Sequence, residues 1–174
     1  MQAAPSEPRP AVSDAASHSV PPERFIIEFW PSIAWLLPGR LLGALFLAVP
    51  RWGLVHVLTL RNLVLLLLAP ISALVYLLAR GPFVVRRYRL TNRRVSIIQG
   101  VQRVEISSLA HGEYDAIDLE VGWGQAWYLA ADLVFRRDGR EVFRLAACGY
   151  PDSVRSTIWK AHQAWVWLHQ GEQA

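Results

Sequence analysis

The chain is 174 residues long, 53% hydrophobic and 18% charged, with a formal net charge of +4 at pH 7. Its length is within the range of one domain, yet the apolar residues gather between Ile33 and Ala79, so the soluble folding unit is smaller than the length suggests. That balance fits a membrane protein carrying one compact domain better than a soluble enzyme, and a single cysteine, Cys148, excludes an intramolecular disulfide and a multi-cysteine metal site.

Residues 1–24 hold Pro, Ala, Ser and scattered charge with no apolar period, which predicts a disordered tail. A basic stretch followed at once by an apolar run is missing from it, so no cleaved secretory signal is expected. Residues 25–80 are assigned to a two-helix transmembrane hairpin, with spans at about 33–49 and 63–79. The first span is weakened by Pro38, Gly39 and Arg40. A charge there has to snorkel, face the second helix or mark a kink. The second runs through four consecutive leucines, Leu65 to Leu68, and tolerates Pro70 as lipid-embedded helices do. Trp30 and Trp35 read as interfacial anchors. Arg24, Arg80, Arg86, Arg87, Arg89, Arg93 and Arg94 flank the outer ends of the pair, against Arg51 and Arg61 between the spans. The positive-inside bias therefore predicts that both termini are cytoplasmic.

From Phe83 the apolar period becomes two, the signature of strands. Val84 to Leu90 and Val95 to Ile97 read as a hairpin turning at Thr91-Asn92, and Val104 and Ile106 mark a third strand. Ile117, Leu119, Val121 and Trp123 mark a fourth, with Asp118 and Glu120 on its other face. Tyr128 to Arg136 and Glu141 to Cys148 pair through Asp138-Gly139, a strong hairpin turn. Pro151-Asp152 opens a helix whose Val154, Ile158, Ala161, Trp165 and Leu168 form one apolar stripe. The expected fold is a small, mainly β antiparallel barrel or sandwich over 83–170, capped by one C-terminal α-helix.

Strands closed by a C-terminal helix, reached through Tyr88-Arg89-Leu90-Thr91-Asn92-Arg93-Arg94-Val95 with Ile98 and Gly100 following, resemble the bacterial pleckstrin-homology-like (PH-like) domain of membrane-anchored proteins. Asp132-Leu133-Val134-Phe135, Asp138-Gly139, Pro151-Asp152 and Trp30-Pro31-Ser32 support the resemblance. Ala130 and Ala131 depart from it, standing where glycines are expected, and this leaves the path of the 122–131 loop open. The resemblance implies a multi-pass protein of the bacterial inner membrane with a two-span hairpin ahead of the domain.

Two binding readings follow. Trp159, Val166 and Trp167 lie off the apolar stripe of the last helix and form a surplus apolar set, the look of a partner or self-association surface. On this reading the chain is a non-catalytic scaffold, a homo-oligomer or the companion of another membrane protein. Alternatively Arg89, Arg93 and Arg94 bind anionic lipid headgroups, as basic residues on an early hairpin do in eukaryotic PH domains. Topology alone would favour that cluster, and turn and ion-pair contacts of Arg93 and Arg94 to the acidic run around Glu113, Asp115, Asp118 and Glu120 are the preferred reading of it. That run alternates with Ile117 and Leu119 as a strand face rather than a calcium loop, and His111, His162 and His169 lack ligand spacing. No catalytic, cofactor or metal motif is visible. The pI of about 9.7 does not point to nucleic acid, because the basic charge sits beside a span and not along a groove-reading helix.

Overall fold

The structure, a computed structural model, describes residues 22–49, 60–79, 81 and 85–170. Residues 1–21 of the expected tail, and Arg51 and Arg80 of the charge asymmetry, lie outside these.

Strand β1 (Phe25–Phe29) comes first, then a 3-10 turn (Ile33–Trp35) and two helices, α1 (Leu37–Ala48) and α2 (Leu60–Ala79). Six strands follow: β2 (Arg86–Thr91), β3 (Arg94–Gln99), β4 (Val104–Ala110), β5 (Ala116–Glu120), β6 (Ala130–Arg137) and β7 (Arg140–Gly149). Helix α3 (Pro151–Gln170) ends the described chain. The strands form two antiparallel sheets, β1-β2-β3-β4 and β5-β6-β7. Their facing sides enclose the core. Tyr88, Leu90 and Val95 of the first sheet meet Leu133, Phe135 and Leu145 of the second, and Ile158 and Ala161 of α3 close it. The Tyr88 hydroxyl, fully buried, crosses between sheets to donate to the Ala146 carbonyl at 2.8 Å. Burial pushes its pKa up, as expected of a phenol whose ionised form would lose its water. Asp138 and Gly139 both have positive φ, 51° and 76°, as a two-residue hairpin turn of the primed kind demands.

Strand β1 departs from the sequence reading, which gives residues 25–80 to the helical hairpin and starts the sheet after it. Glu28 pairs with Arg89 and Phe29 with Tyr88 in register, so α1 and α2 are an insertion between two neighbouring strands rather than a preface to the sheet. The N-terminal boundary moves too. Pro22 to Arg24, assigned to the tail, are tied to the β2–β3 turn: Arg24 and Asn92 exchange bonds of 2.7 and 3.0 Å, and Asn92 also donates to the Pro22 carbonyl.

The first expected span is shorter than predicted. Pro38 sits in the first turn of α1, where a missing N–H costs nothing. The 12 residues of α1 rise only about 18 Å. The Arg40 guanidinium folds back so that Nε donates to the Ala34 carbonyl at 2.9 Å, satisfying the 3-10 turn. Helix α2 has 20 residues, about 30 Å. Among the described residues it is the one helix long and apolar enough to cross a membrane.

Candidate membrane and partner interfaces

The 121–131 segment carries no charged residue, yet it is firmly anchored. Asp132 lies at the start of β6 with its side chain 10% exposed. One carboxylate oxygen accepts from Gln125 Nε2 at 2.6 Å and from the Ala147 amide at 2.8 Å; the other accepts from Arg144 at 3.0 Å. Fully buried Gln125 turns its other end to accept from the Gly122 amide at 2.7 Å. Every buried donor aimed at this carboxylate is therefore matched, which is what makes a buried charge tolerable. The loop so held presents Gly124 to α1. A Cβ on Gly43 would run into the Gly124 carbonyl oxygen, and a Cβ on Gly124, whose φ is +73°, would run into that of Arg40. Only glycines allow this backbone approach. Beside it the Tyr128 hydroxyl donates to the Gly39 carbonyl at 3.1 Å, and Trp127 lies against Phe46 with ring centres 5.2 Å apart. Trp127 thereby joins the apolar cluster that Leu42 and Phe46 of α1 form with Val75 of α2.

Around the end of α2 lies a groove of about 270 Å³ walled by Trp30, Trp35, Tyr76, Ala79, Arg86 and Tyr128, among others. The Arg86 guanidinium lies 4.7 Å over the Trp35 ring and that of Arg87 5.1 Å over Trp30. Such aromatic and cationic pairing suits an interface between water and lipid.

The three arginines proposed for lipid contact are placed on or beside the β2–β3 turn and are already engaged. Arg89 shares Glu28 with Arg87 at 3.3 and 3.1 Å. Arg94 meets Glu23 at 3.0 Å and Glu105 at 3.1 Å. Arg93 holds the turn through its main chain, its amide donating to the Thr91 hydroxyl and its carbonyl accepting from His111, and its charge acts on Glu23. These carboxylates are not those of the acidic run. Asp118 and Glu120 pair instead with Arg136, and Glu120 also with Arg144. Hydrogen bonding from Arg94 holds the Glu23 carboxyl below the usual glutamate range. For Glu28, burial pushes the other way, but the bonds from Arg87 and Arg89 outweigh it and the pKa falls.

On α3 the expected stripe is inward at Ile158 and Ala161 and half-buried at Val154 and Trp165. The Trp165 indole covers Gly112, where a Cβ would meet it at 2.6 Å. Leu168, assigned to the same stripe, is 62% exposed, so the stripe is not covered along its whole length. Trp167 is 77% exposed and Val166 half-buried. Trp159 does not point straight out. It stacks on His162 at 5.0 Å and walls a groove of about 460 Å³ with Asp115, Ala116 and Ile117 beside the free edge of β5.

The histidines serve packing. His111 is fully buried, and its Nε2 lies 2.9 Å from the Thr91 carbonyl, an acceptor only, so Nε2 carries the proton and Nδ1 accepts from the Tyr114 hydroxyl at 2.8 Å. Burial lowers its pKa, in keeping with that neutral form. His162 Nδ1 donates to the His111 carbonyl at 2.8 Å, joining α3 to the body. Cys148 is buried, and desolvation pushes its thiol pKa up, so it packs as a small apolar side chain. Among the described residues no group of three or more His, Cys, Asp or Glu side chains could hold a metal ion.

Sequence reasoning missed the Asp132–Gln125–Arg144 network. Its signal was available: a carboxylate inside the run Ala130-Ala131-Asp132-Leu133-Val134-Phe135 has no solvated face to occupy. Searches of family models, of curated proteins and of solved structures return no match for this chain.

Proposed function

We propose that the protein is a membrane-anchored, non-catalytic PH-like module of the bacterial inner membrane that presents the outer face of α3 to a protein partner on the cytoplasmic side. The observation that carries this reading is the insertion of α1 and α2 between β1 and β2. Because those strands are neighbours in one sheet, the chain leaves and returns on the same side of any bilayer, and the number of crossings between residues 29 and 86 is even. A crossing by α2 then requires a second crossing elsewhere between residues 29 and 86, and on this reading the two form a hairpin. Four strands, three strands and a terminal helix support the PH-like assignment. Exposed Trp167 beside half-buried Val166, with Trp159 in its groove, supports a docking face. Anionic-lipid sensing by Arg89, Arg93 and Arg94 is disfavoured by the carboxylates Arg89 and Arg94 already hold.

The test is the mass of the full chain in detergent micelles by light scattering, beside the double substitution Trp159→Ser and Trp167→Ser. The expected result is an assembly that the substitutions reduce to a monomer. A monomer in both samples removes self-association, leaving a separate protein as the partner to capture by crosslinking.

A further inference from the structure

We propose that the 121–129 loop of the sheet domain is itself a membrane-contacting element, seating Val121, Trp123 and Leu129 among lipid headgroups and the first acyl carbons. The inference rests on the membrane reading of α2 and adds to it a fixed orientation of the domain on the bilayer.

Four observations converge. Charge stops at Glu120 and resumes at Asp132, so the whole loop is uncharged. Within that gap Val121, Trp123 and Leu129 are 64%, 51% and 69% exposed. Their exposure is held by the fold, not incidental: Gln125 and Asp132 pin the loop from below, and Leu129 is turned out at a left-handed φ of 49°. Finally, the patch is continuous with the helices. Gly124 touches α1, and Trp127 shares a cluster with Val75, which lies one turn inside the end of α2. A bilayer that holds α2 to that depth reaches the loop. An apolar, uncharged patch with a tryptophan at its tip suits the interfacial zone better than water.

The experiment places single spin labels on the full chain in liposomes of mixed neutral and anionic phospholipid, through Val121→Cys, Leu129→Cys, Leu66→Cys and Asp138→Cys. Buried Cys148 is left in place, and the unsubstituted chain reports any labelling there. Collision with oxygen relative to a water-soluble nickel complex reads depth. The expected ratio at 121 and 129 is several-fold above that at 138 and approaches that at 66. A lipid-like ratio at 66 with water-like ratios at 121 and 129 overturns the loop's role and leaves the anchor standing. Water-like ratios at all four positions overturn the membrane reading and the loop's role together.

Discussion

Helices α1 and α3 dock on the same small sheet domain by opposite means. Helix α3 uses side chains: Ile158 and Ala161 enter the shared core, and Trp165 lies over Gly112. Helix α1 uses the absence of side chains, since Gly43 and Gly124 bring two backbones together while Leu42, Phe46, Trp127 and Tyr128 lock the contact from the sides. Side-chain packing draws on apolar burial and belongs to the global stability of the domain. Backbone approach needs little burial but admits no added atom, so it sets position more than stability.

The comparison can be broken in order of effect. Ile158→Ala removes a fully buried branched side chain from the core and is expected to destabilise the whole domain by about 3 kcal/mol. Thermal unfolding of the full chain in detergent measures this. A loss confined to α3, with the sheets unaffected, would mean the helix is an appendage and not part of the core. Gly43→Leu is expected to cost about 2 kcal/mol through overpacking, with a local signature. Amides of 122–129 should exchange faster while those of β6 and α3 stay protected. Unchanged exchange in that loop would show that the close approach does not hold α1 in place.

The smallest effect concerns the strand that precedes both helices. Glu28 ties β1 to Arg87 and Arg89, and Glu23 ties the segment before it to Arg94. Both carboxyls have lowered folded pKa values. Their contribution is therefore complete above the unfolded glutamate value of about 4.3 and is lost as pH falls through the folded values. Glu28→Gln at neutral pH should loosen β1 by about 1 kcal/mol or less, as such part-exposed pairs do. Amide exchange of 25–29 should then resemble that of the unsubstituted chain in acid. If acid loosens β1 equally with and without the substitution, Glu28 is not the titrating tie. Lowered His111 acts in the same sense at higher pH, present above about 6.5 and lost as pH falls through its folded value, but its partners are Thr91 and Tyr114 and not β1.

Most of the sheet was legible because its signals are local. Strands β2 to β7 follow alternation and turn chemistry within a few residues, and the Asp138-Gly139 hairpin and the Pro151 helix start lie where those residues place them. The expected fourth strand runs three residues too long, and the fifth begins two early, since Gly122 to Leu129 folds into turns around Gln125. Strand β1 was not legible. Phe25-Ile26-Ile27-Glu28-Phe29 is a five-residue run whose partner lies beyond two helices, and no local period reports a pairing of that range. The same distance hid the partners of Arg89 and Arg94. Glu23 and Glu28 are far in sequence and adjacent in space, whereas the acidic run that looked nearer belongs to the other sheet.

The insertion between β1 and β2 has a consequence for how the chain comes together. Glu28 and Arg89 stand 61 positions apart, and closing so long a flexible loop would cost about 4 kcal/mol of chain entropy. The chain between them is not flexible throughout. The 3-10 turn ahead of α1 and the end of α2 share the groove lined by Trp35, Tyr76 and Ala79, so once these pack together, the stretch that separates the two strands delivers them side by side. In topological terms the helix pair is the turn of an oversized β-hairpin. A chain cut to begin at residue 83 would leave β2 as an unprotected edge.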